Sequence, residues 1–272
     1  IPVFNEDEDI FNLSVLSILH QDYKNLEIII VDDYSDKNYK FLNNLNSRIK
    51  LIRNKKNMGI GYSLNKALSI SKGKYIVRHD SDDISLQKRI SIQINFLENN
   101  PSIDLVGSSI YLIDDYNNLI SMRPCGGFHF SLTSSIWSEI RIPHPTWTFR
   151  RSIITKNFYE IALRRGQDQF FLIKNFDKFK YYSFTKPLIA YRINYTSLYK
   201  KFLGRFANIY AVYKKKRLFI ILLSFIFHTL AFLRDIINNV FKIEAYRNFK
   251  KNTVITSKHE KDSFQKYVET LK

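Results

Sequence analysis

An open α/β sheet with helices on both faces is the fold class this sequence predicts, and three observations predict it. Short apolar runs alternate with segments of helical period through the first part of the chain. Two acidic clusters, Asp32-Asp33 and Asp80-Ser81-Asp82-Asp83, stand directly after such runs. Open α/β sheets bind ligands beyond the carboxyl ends of their strands, so both clusters fall where a site belongs. The length of 272 residues, 45% of them hydrophobic, suffices for one substantial core plus an appendage.

The elements follow in order. Ile1 to Phe4 reads as a strand, Ile10 to His20 has helical spacing, and Leu26 to Val31 is a nearly continuous apolar run suited to burial on both faces. Together they make a βαβ unit. Ile49 to Ile52 then reads as a strand, Gly61 to Ile70 as a helix and Lys74 to Arg78 as a strand. Gln87 to Leu97 reads as a helix closed by Asn99-Asn100-Pro101, and Ile103 to Val106 as a further strand. After Ile110 the alternation weakens. Pro124, Gly126, Gly127, Pro143 and Pro145 predict loops and short strands over one edge. Ile153 to Phe158 and Asp168 to Phe176 read as short helices. The chain opens inside a strand and without Met, so residues are expected to precede it, and no signal peptide is read.

Composition excludes several classes. Few Gly (8) and Pro (6) beside 15% aromatic residues exclude a disordered chain. A single cysteine, Cys125, excludes an internal disulfide framework and a Cys-rich zinc site, and it suits a reducing cytoplasm. The net charge is +17, and from Lys200 onward sixteen Lys and Arg face five Asp and Glu. That excess points to a solvated tail, a nucleic acid or an anionic membrane.

Several carboxylates within four residues repel one another unless a cation or strong donors compensate them. The Asp80–Asp83 run therefore suits Mg²⁺ or Mn²⁺, hard cations that take a few carboxylates and complete their shell with phosphate and water. The alternative is a helix cap with solvated acids. Asp33 reads as a turn residue, or as an acceptor for the N–H of a base edge. Asp168 reads as a helix N-terminal acid favoured by the dipole, or as a general base. His144 and Trp147 lie in a Pro-rich stretch, where they could pack or meet a sugar.

Taken together the motifs resemble the inverting glycosyltransferase family 2, of GT-A fold and bacterial surface-polysaccharide type. They are Pro2-Val3-Phe4-Asn5-Glu6, Ile30-Val31-Asp32-Asp33-Tyr34-Ser35, Asn57-Met58-Gly59-Ile60-Gly61 with Asn65, and Gly73-Lys74-Tyr75-Ile76. Asp80-Ser81-Asp82-Asp83, His144-Pro145-Thr146-Trp147, Gln167-Asp168 and Pro187 to Arg192 complete an ordered set over residues 1 to 197. The resemblance implies a mostly parallel open sheet flanked by helices. It also implies that Pro2, Phe4, Glu6 and Ser81 line a nucleotide-sugar pocket and that Asp33 holds the base. Asp80 would lie near ribose and metal, Asp82 would be the direct Mn²⁺ or Mg²⁺ ligand, and Asp168 the catalytic base. His144, Trp147 and Arg192 are candidate sugar contacts. Gln167 departs from the family's more frequent Glu. No Gln-x-x-Arg-Trp motif follows Asp168, which implies transfer of a single sugar rather than processive synthesis.

Residues 198 to 272 form a basic, helical C-terminal region distinct from the catalytic domain at 1 to 197. Leu218 to Leu233 is strongly apolar but shorter than the roughly 20 residues of a membrane span. Extended to Ile243, its polar positions Ser224, His228, Asp235, Asn238, Asn239 and Lys242 fall near one face, and Lys214-Lys215-Lys216-Arg217 precedes it. This pattern predicts a helix lying in the interface of an anionic leaflet, peripheral on the inner face of the cell membrane. A true span, burial against the catalytic domain, or a contact with a second copy of the chain as a homo-oligomer are the alternatives. The apolar face argues against a nucleic acid. The expected partners are thus a nucleotide-sugar donor, a glycan or lipid-linked acceptor and the membrane surface. The rival functions are a sugar nucleotidyltransferase, which would open with a Gly-rich phosphate loop absent before Gly59, and a non-catalytic membrane-anchored binding module.

Overall fold

The computed structural model describes residues 1–128, 142–154, 158–175, 178–193, 197–214, 218–240 and 253–271. Strand β1 (Pro2–Val3), helix α1 (Glu8–Leu19), β2 (Ile28–Asp32), helix α2 (Leu42–Leu45) and β3 (Ile49–Arg53) make the first unit. Its three strands pair in the order β1-β2-β3, all parallel, because each connection crosses back through a helix. Asp7 caps α1 by accepting from the Asp9 and Ile10 amides, and Glu8 and Asp9 add favourable charge to its first turn. Ile28, Ile30 and Val31 are buried, as a strand covered on both faces requires.

Helix α3 (Ile60–Ile70) leads to β4 (Tyr75–Val77), followed by β5 (Ile84–Ser85), α4 (Arg89–Asn99), β6 (Leu105–Ile113), β7 (Leu119–Arg123) and β8 (Gly127–Phe128). Further on lie β9 (Thr148–Arg150), α5 (Gln167–Asn175) and β10 (Tyr181–Arg192). The second sheet runs β4-β9-β6-β10-β5, with β7 on β6 and β8 on β10. Only β6 and β10 are parallel here; the other ladders are antiparallel. The parallel order of the first half therefore gives way to a mixed sheet where hairpins and long returns replace βαβ units. Pro187 sits at a register shift of β10, where a strand tolerates a missing N–H.

Between β2 and β4 lies a cavity of about 700 Å³, lined chiefly by Ile1, Leu26, Ile28, Tyr75, Val77 and Ile94. Its lining mixes these apolar side chains with charged ones such as Arg78, Glu27 and Glu98, and the acidic cluster lies outside it.

The C-terminal region contains α6 (Leu198–Lys214), α7 (Leu218–Val240) and α8 (Lys258–Leu271). Helix α6 packs on α5 and on α7. Helix α8 returns to the sheet: Phe264, Val268 and Leu271, spaced for one face, are buried with Leu13, Ile84, Ile113 and Ala190. The Tyr267 hydroxyl donates to the Ser85 carbonyl at 2.7 Å, and Val254 bridges Met122. Among the described residues no helix is long and apolar enough to cross a membrane. The side chains of Asn238 and Asn239, and all of Lys242 and Ile243, lie outside the described residues.

Candidate active site at the carboxyl ends of the strands

The acidic cluster forms the loop between β4 and β5. Antiparallel pairing of β5 with β10 at Ile84–Ala190 and Ser85–Ile189 anchors its far end. Arg78 continues the near end by donating its amide to the Trp147 carbonyl at 2.8 Å. Carboxylate oxygens of Asp80, Asp82 and Asp83 lie within 4.8 Å of one another. Asp83 is buried; its Oδ1 accepts from the Arg192 amide at 3.0 Å, while Oδ2 has no hydrogen-bond partner. Burial first, then the neighbouring Asp80 and Asp82, push its pKa well above the usual carboxylate value. A divalent cation suits this set: it would supply the missing partner of Oδ2 and relieve the repulsion among the three acids.

Buried cations and amides hold the loop in shape. Arg78 is ion-paired with Asp80. Arg89 is 0% exposed and has no carboxylate partner among the described residues. Instead it donates to the carbonyls of Arg78 and Pro145 (both 2.7 Å), to Ser85 Oγ (2.9 Å) and to Gln93 Oε1 (3.1 Å). Burial lowers its pKa to about 9. His79 is also buried and held neutral, chiefly by desolvation and then by Arg89. Ser14 Oγ donates to the Asp80 carbonyl at 2.9 Å and lies 3.0 Å from His79 Nε2. A proton on Nε2 satisfies both contacts.

The β1 and β2 ends face this loop. Ser81 Oγ donates to Glu6 Oε2 at 3.3 Å, joining two residues expected at the nucleotide pocket. Pro2 is buried, whereas Phe4 is 51% exposed. Asp33 is buried, and its carboxylate accepts from Asn54 Nδ2 (2.7 Å) and from the amides of Met58 (2.9 Å) and Gly59 (2.7 Å). It thereby fixes the turn that opens α3. Two non-glycine residues, Asn5 (φ 53°) and Tyr34 (φ 70°), adopt left-handed backbone at the ends of β1 and β2. For a bulky residue such as Tyr34 this is strain, and strain of this kind gathers at functional sites. Tyr34 is 49% exposed, and no local pattern of residues announced its conformation.

Asp168 is half-buried in the first turn of α5. Gly166 precedes it with φ +73°, and a Cβ there would lie 2.7 Å from the Ala207 Cβ of α6, so glycine is required. The buried Tyr159 phenol connects this side with the acidic loop. Burial raises its pKa; Arg78 lowers it, and Asp168 and Asp80 raise it, so all three charges act on the one hydroxyl. His144 Nε2 lies 2.8 Å from that hydroxyl, and Asn65 clamps the Tyr159 backbone by giving to its carbonyl (2.8 Å) and taking from its amide (2.9 Å).

The three candidate sugar contacts, His144, Trp147 and Arg192, are all buried. Trp147 is 0% exposed, packs on His144 and Phe171, and donates Nε1–H to the Ile142 carbonyl, so it is core. Arg192 is buried, with its guanidinium donating to the carbonyls of Asp82 (3.0 Å) and Asp114 (2.6 Å) and to Asn117 Oδ1 (2.6 Å). It shapes the loop from behind. His144 is likewise turned inward and held neutral by burial and by Arg78. Sequence reading missed Arg78, Arg89 and Tyr159. Arg78 alone left a signal, as a cation ending an apolar strand two places before the acids.

Residues 1–158 match the sequence profile described as Glycosyl transferase family 2. An uncharacterised glycosyltransferase of Methanocaldococcus jannaschii is 34% identical over 209 residues, 73% of this chain and 72% of that protein. The bifunctional glycosyltransferase pgtA of Dictyostelium discoideum is 40% identical over 148 residues, 51% of this chain but 19% of that protein. Among solved structures, S. aureus TarS 1–349 superposes with a TM-score of 0.58 at 19% identity, covering 76% of this chain and 63% of that one. The same protein in complex with UDP-GlcNAc gives 0.57. At that identity the likeness carries the fold, which is GT-A.

Proposed function

Because the chain belongs to glycosyltransferase family 2, we propose that it is an inverting enzyme that moves one sugar from a nucleoside-diphosphate sugar to an acceptor hydroxyl. One observation carries this reading. Three carboxylates, of Asp80, Asp82 and Asp83, converge at the end of β4 with their oxygens within 4.8 Å of one another. Carboxylates gathered in this way suit a divalent cation that binds a donor's diphosphate.

Asp82 and Asp80, with Asp83 behind them, would hold Mn²⁺ or Mg²⁺. When bound, that cation supplies Lewis-acid stabilisation for the leaving diphosphate. Pro2, Phe4, Glu6 and Ser81 line the nucleotide, and Asp33 orders the α3 turn on its base side. Asp168 accepts the acceptor's hydroxyl proton while that oxygen bonds to the anomeric carbon and the carbon–diphosphate bond breaks, inverting the centre. Arg78, Arg89 and Arg192 keep the acidic loop in place. The TarS complex makes UDP-sugars the first donors to try. A lipid-linked or lipooligosaccharide acceptor at the inner membrane face fits the basic, apolar tail, and the division of the chain near Ser197 follows from the same reading.

The test is release of nucleoside diphosphate from a panel of nucleotide-sugars with Mn²⁺ or Mg²⁺, repeated with EDTA, Asp82→Ala and Asp168→Asn. Metal-dependent release of one diphosphate, with Asp168→Asn slowing transfer by about 10²–10⁴-fold, supports it. Pyrophosphate release would make the protein a nucleotidyltransferase instead. Absence of donor binding by calorimetry together with absence of turnover would leave the non-catalytic binding module.

A further inference from the structure

Helix α7 has its polarity inside out. Ser224, His228, Ala231 and Asp235 recur at four, three and four residues, one stripe of a helix, and all four are buried. That stripe faces α6, where Arg205 Nη2 donates to Asp235 Oδ2 at 2.6 Å. The opposite, much wider arc is exposed and apolar apart from Thr229: Leu222, Phe225, Ile226, Leu230, Leu233 and Ile237. Phe225 is 55% exposed and Leu230 61%. Helix α6 adds Phe202 and Phe206 to this surface, with exposed Tyr199 and Tyr213 near its two ends. Polar groups inward and large apolar groups outward is the reverse of a helix pair that faces water. It is the arrangement that hydrocarbon selects, with Tyr at the polar boundary.

We infer that the outward face of the α6–α7 hairpin docks into the acyl boundary of an anionic bilayer, with the Arg205–Asp235 pair and the Ser224–His228 stripe shielded inside it. The rim chooses this occupant over a second copy of the chain. Lys214 and Arg234 are exposed beside the apolar arc, the sequence run Lys214 to Arg217 directly precedes α7, and the whole chain carries +17. Two such faces would bring like charges together, whereas anionic headgroups complement them. A helix seated this way lies on the membrane rather than across it. The inference deepens the membrane part of the proposed function and rests on it; the catalytic part does not enter.

The test is co-sedimentation of the full chain with vesicles of phosphatidylglycerol and phosphatidylcholine, and with phosphatidylcholine alone, beside the double variant Phe225→Gln/Leu230→Gln. Wild type should bind the anionic vesicles, and each substitution should weaken that binding by about tenfold. Both positions are exposed, so circular dichroism should show the variant folded. Slowed amide exchange within 218–240 of wild type on vesicles reports the same contact without any substitution. If the variant sediments as wild type does and exchange in 218–240 is unchanged by vesicles, the hairpin is not the docking face, while membrane association itself stands. If wild type binds no vesicle and forms a dimer that the substitutions dissociate, the face is a homodimer interface and both readings fall. If wild type is a monomer that binds no vesicle, both fall as well.

Discussion

Replacing Asp82 by Asn should stabilise the metal-free protein and at the same time abolish its response to metal. The carboxylate oxygens of Asp80, Asp82 and Asp83 lie within 4.8 Å of one another. At that separation and an effective dielectric of about 20, each like-charge pair costs about 3 kcal/mol. Asp83 is driven towards its neutral form by burial, so the Asp80–Asp82 pair dominates. Arg78, ion-paired with Asp80, screens part of that repulsion and so reduces the gain. The net effect of Asp82→Asn is a gain of about 1–2 kcal/mol without metal, or roughly 2–6 °C in Tm for a chain of this size. Wild type, by contrast, should gain about 2.7 kcal/mol when Mn²⁺ stands a hundredfold above its dissociation constant, and the variant nothing. The stability order therefore inverts between EDTA and Mn²⁺. Thermal melts of both proteins in EDTA, in Mn²⁺ and in Mn²⁺ with UDP measure this directly, with Asp262→Asn, at an exposed position of α8, as a control. Equal Mn²⁺ shifts in wild type and Asp82→Asn would refute the reasoning, as would a variant that melts below wild type in EDTA.

Three further outcomes follow from the same structure. His79, His144 and His228 all have pKa values lowered from 6.5 by burial first, His228 to about 4. The unfolded chain binds protons at these sites before the folded one does, so stability should fall as pH drops below about 6.5, and urea midpoints at pH 7.5 and 5.5 would show it. Arg89→Met leaves the Arg78 and Pro145 carbonyls without their donor and should cost about 2–4 kcal/mol, read as a lower urea midpoint at unchanged slope. Gly166→Ala forces a left-handed alanine against Ala207 and should cost about 1–2 kcal/mol while lowering turnover, because the strained turn carries Asp168; unchanged melting and turnover would refute it.

How much of this was legible in the sequence differs between the halves of the chain. Apolar runs ending in acids, as at Ile28–Asp32, mark buried parallel strands because burial on both faces leaves no alternation to confuse the period. The β6–β10 ladder joins residues about as far apart as Leu105 and Tyr181, and no local pattern encodes such a pairing. The Asp80–Asp83 cluster was legible because carboxylates in such density repel one another unless compensated, and their oxygens do converge within 4.8 Å. Asp168, by contrast, was singled out as the base by the resemblance alone and stands in the first turn of α5. Arg89 was not legible: an arginine opening a helix ordinarily points to water, and only the crossing of α4 beneath the loop turns it inward. For Trp147 the sequence left packing and a sugar contact both open, because a Pro-rich flank does not say which side is buried; the ring is buried in the core. The stripe on α7 was visible as a stripe, but periodicity names a face without saying which side meets water.

The contact at Gly166 has a mechanical meaning. Its α-carbon stands where a single methyl would collide with Ala207, and Gly204 lies against the same spot, so the turn that aims Asp168 and the wall of α6 share a surface with no slack. Any movement of α6 against α5 is therefore felt at the turn that carries Asp168. The placement of that carboxylate is then only as steady as the helix behind it.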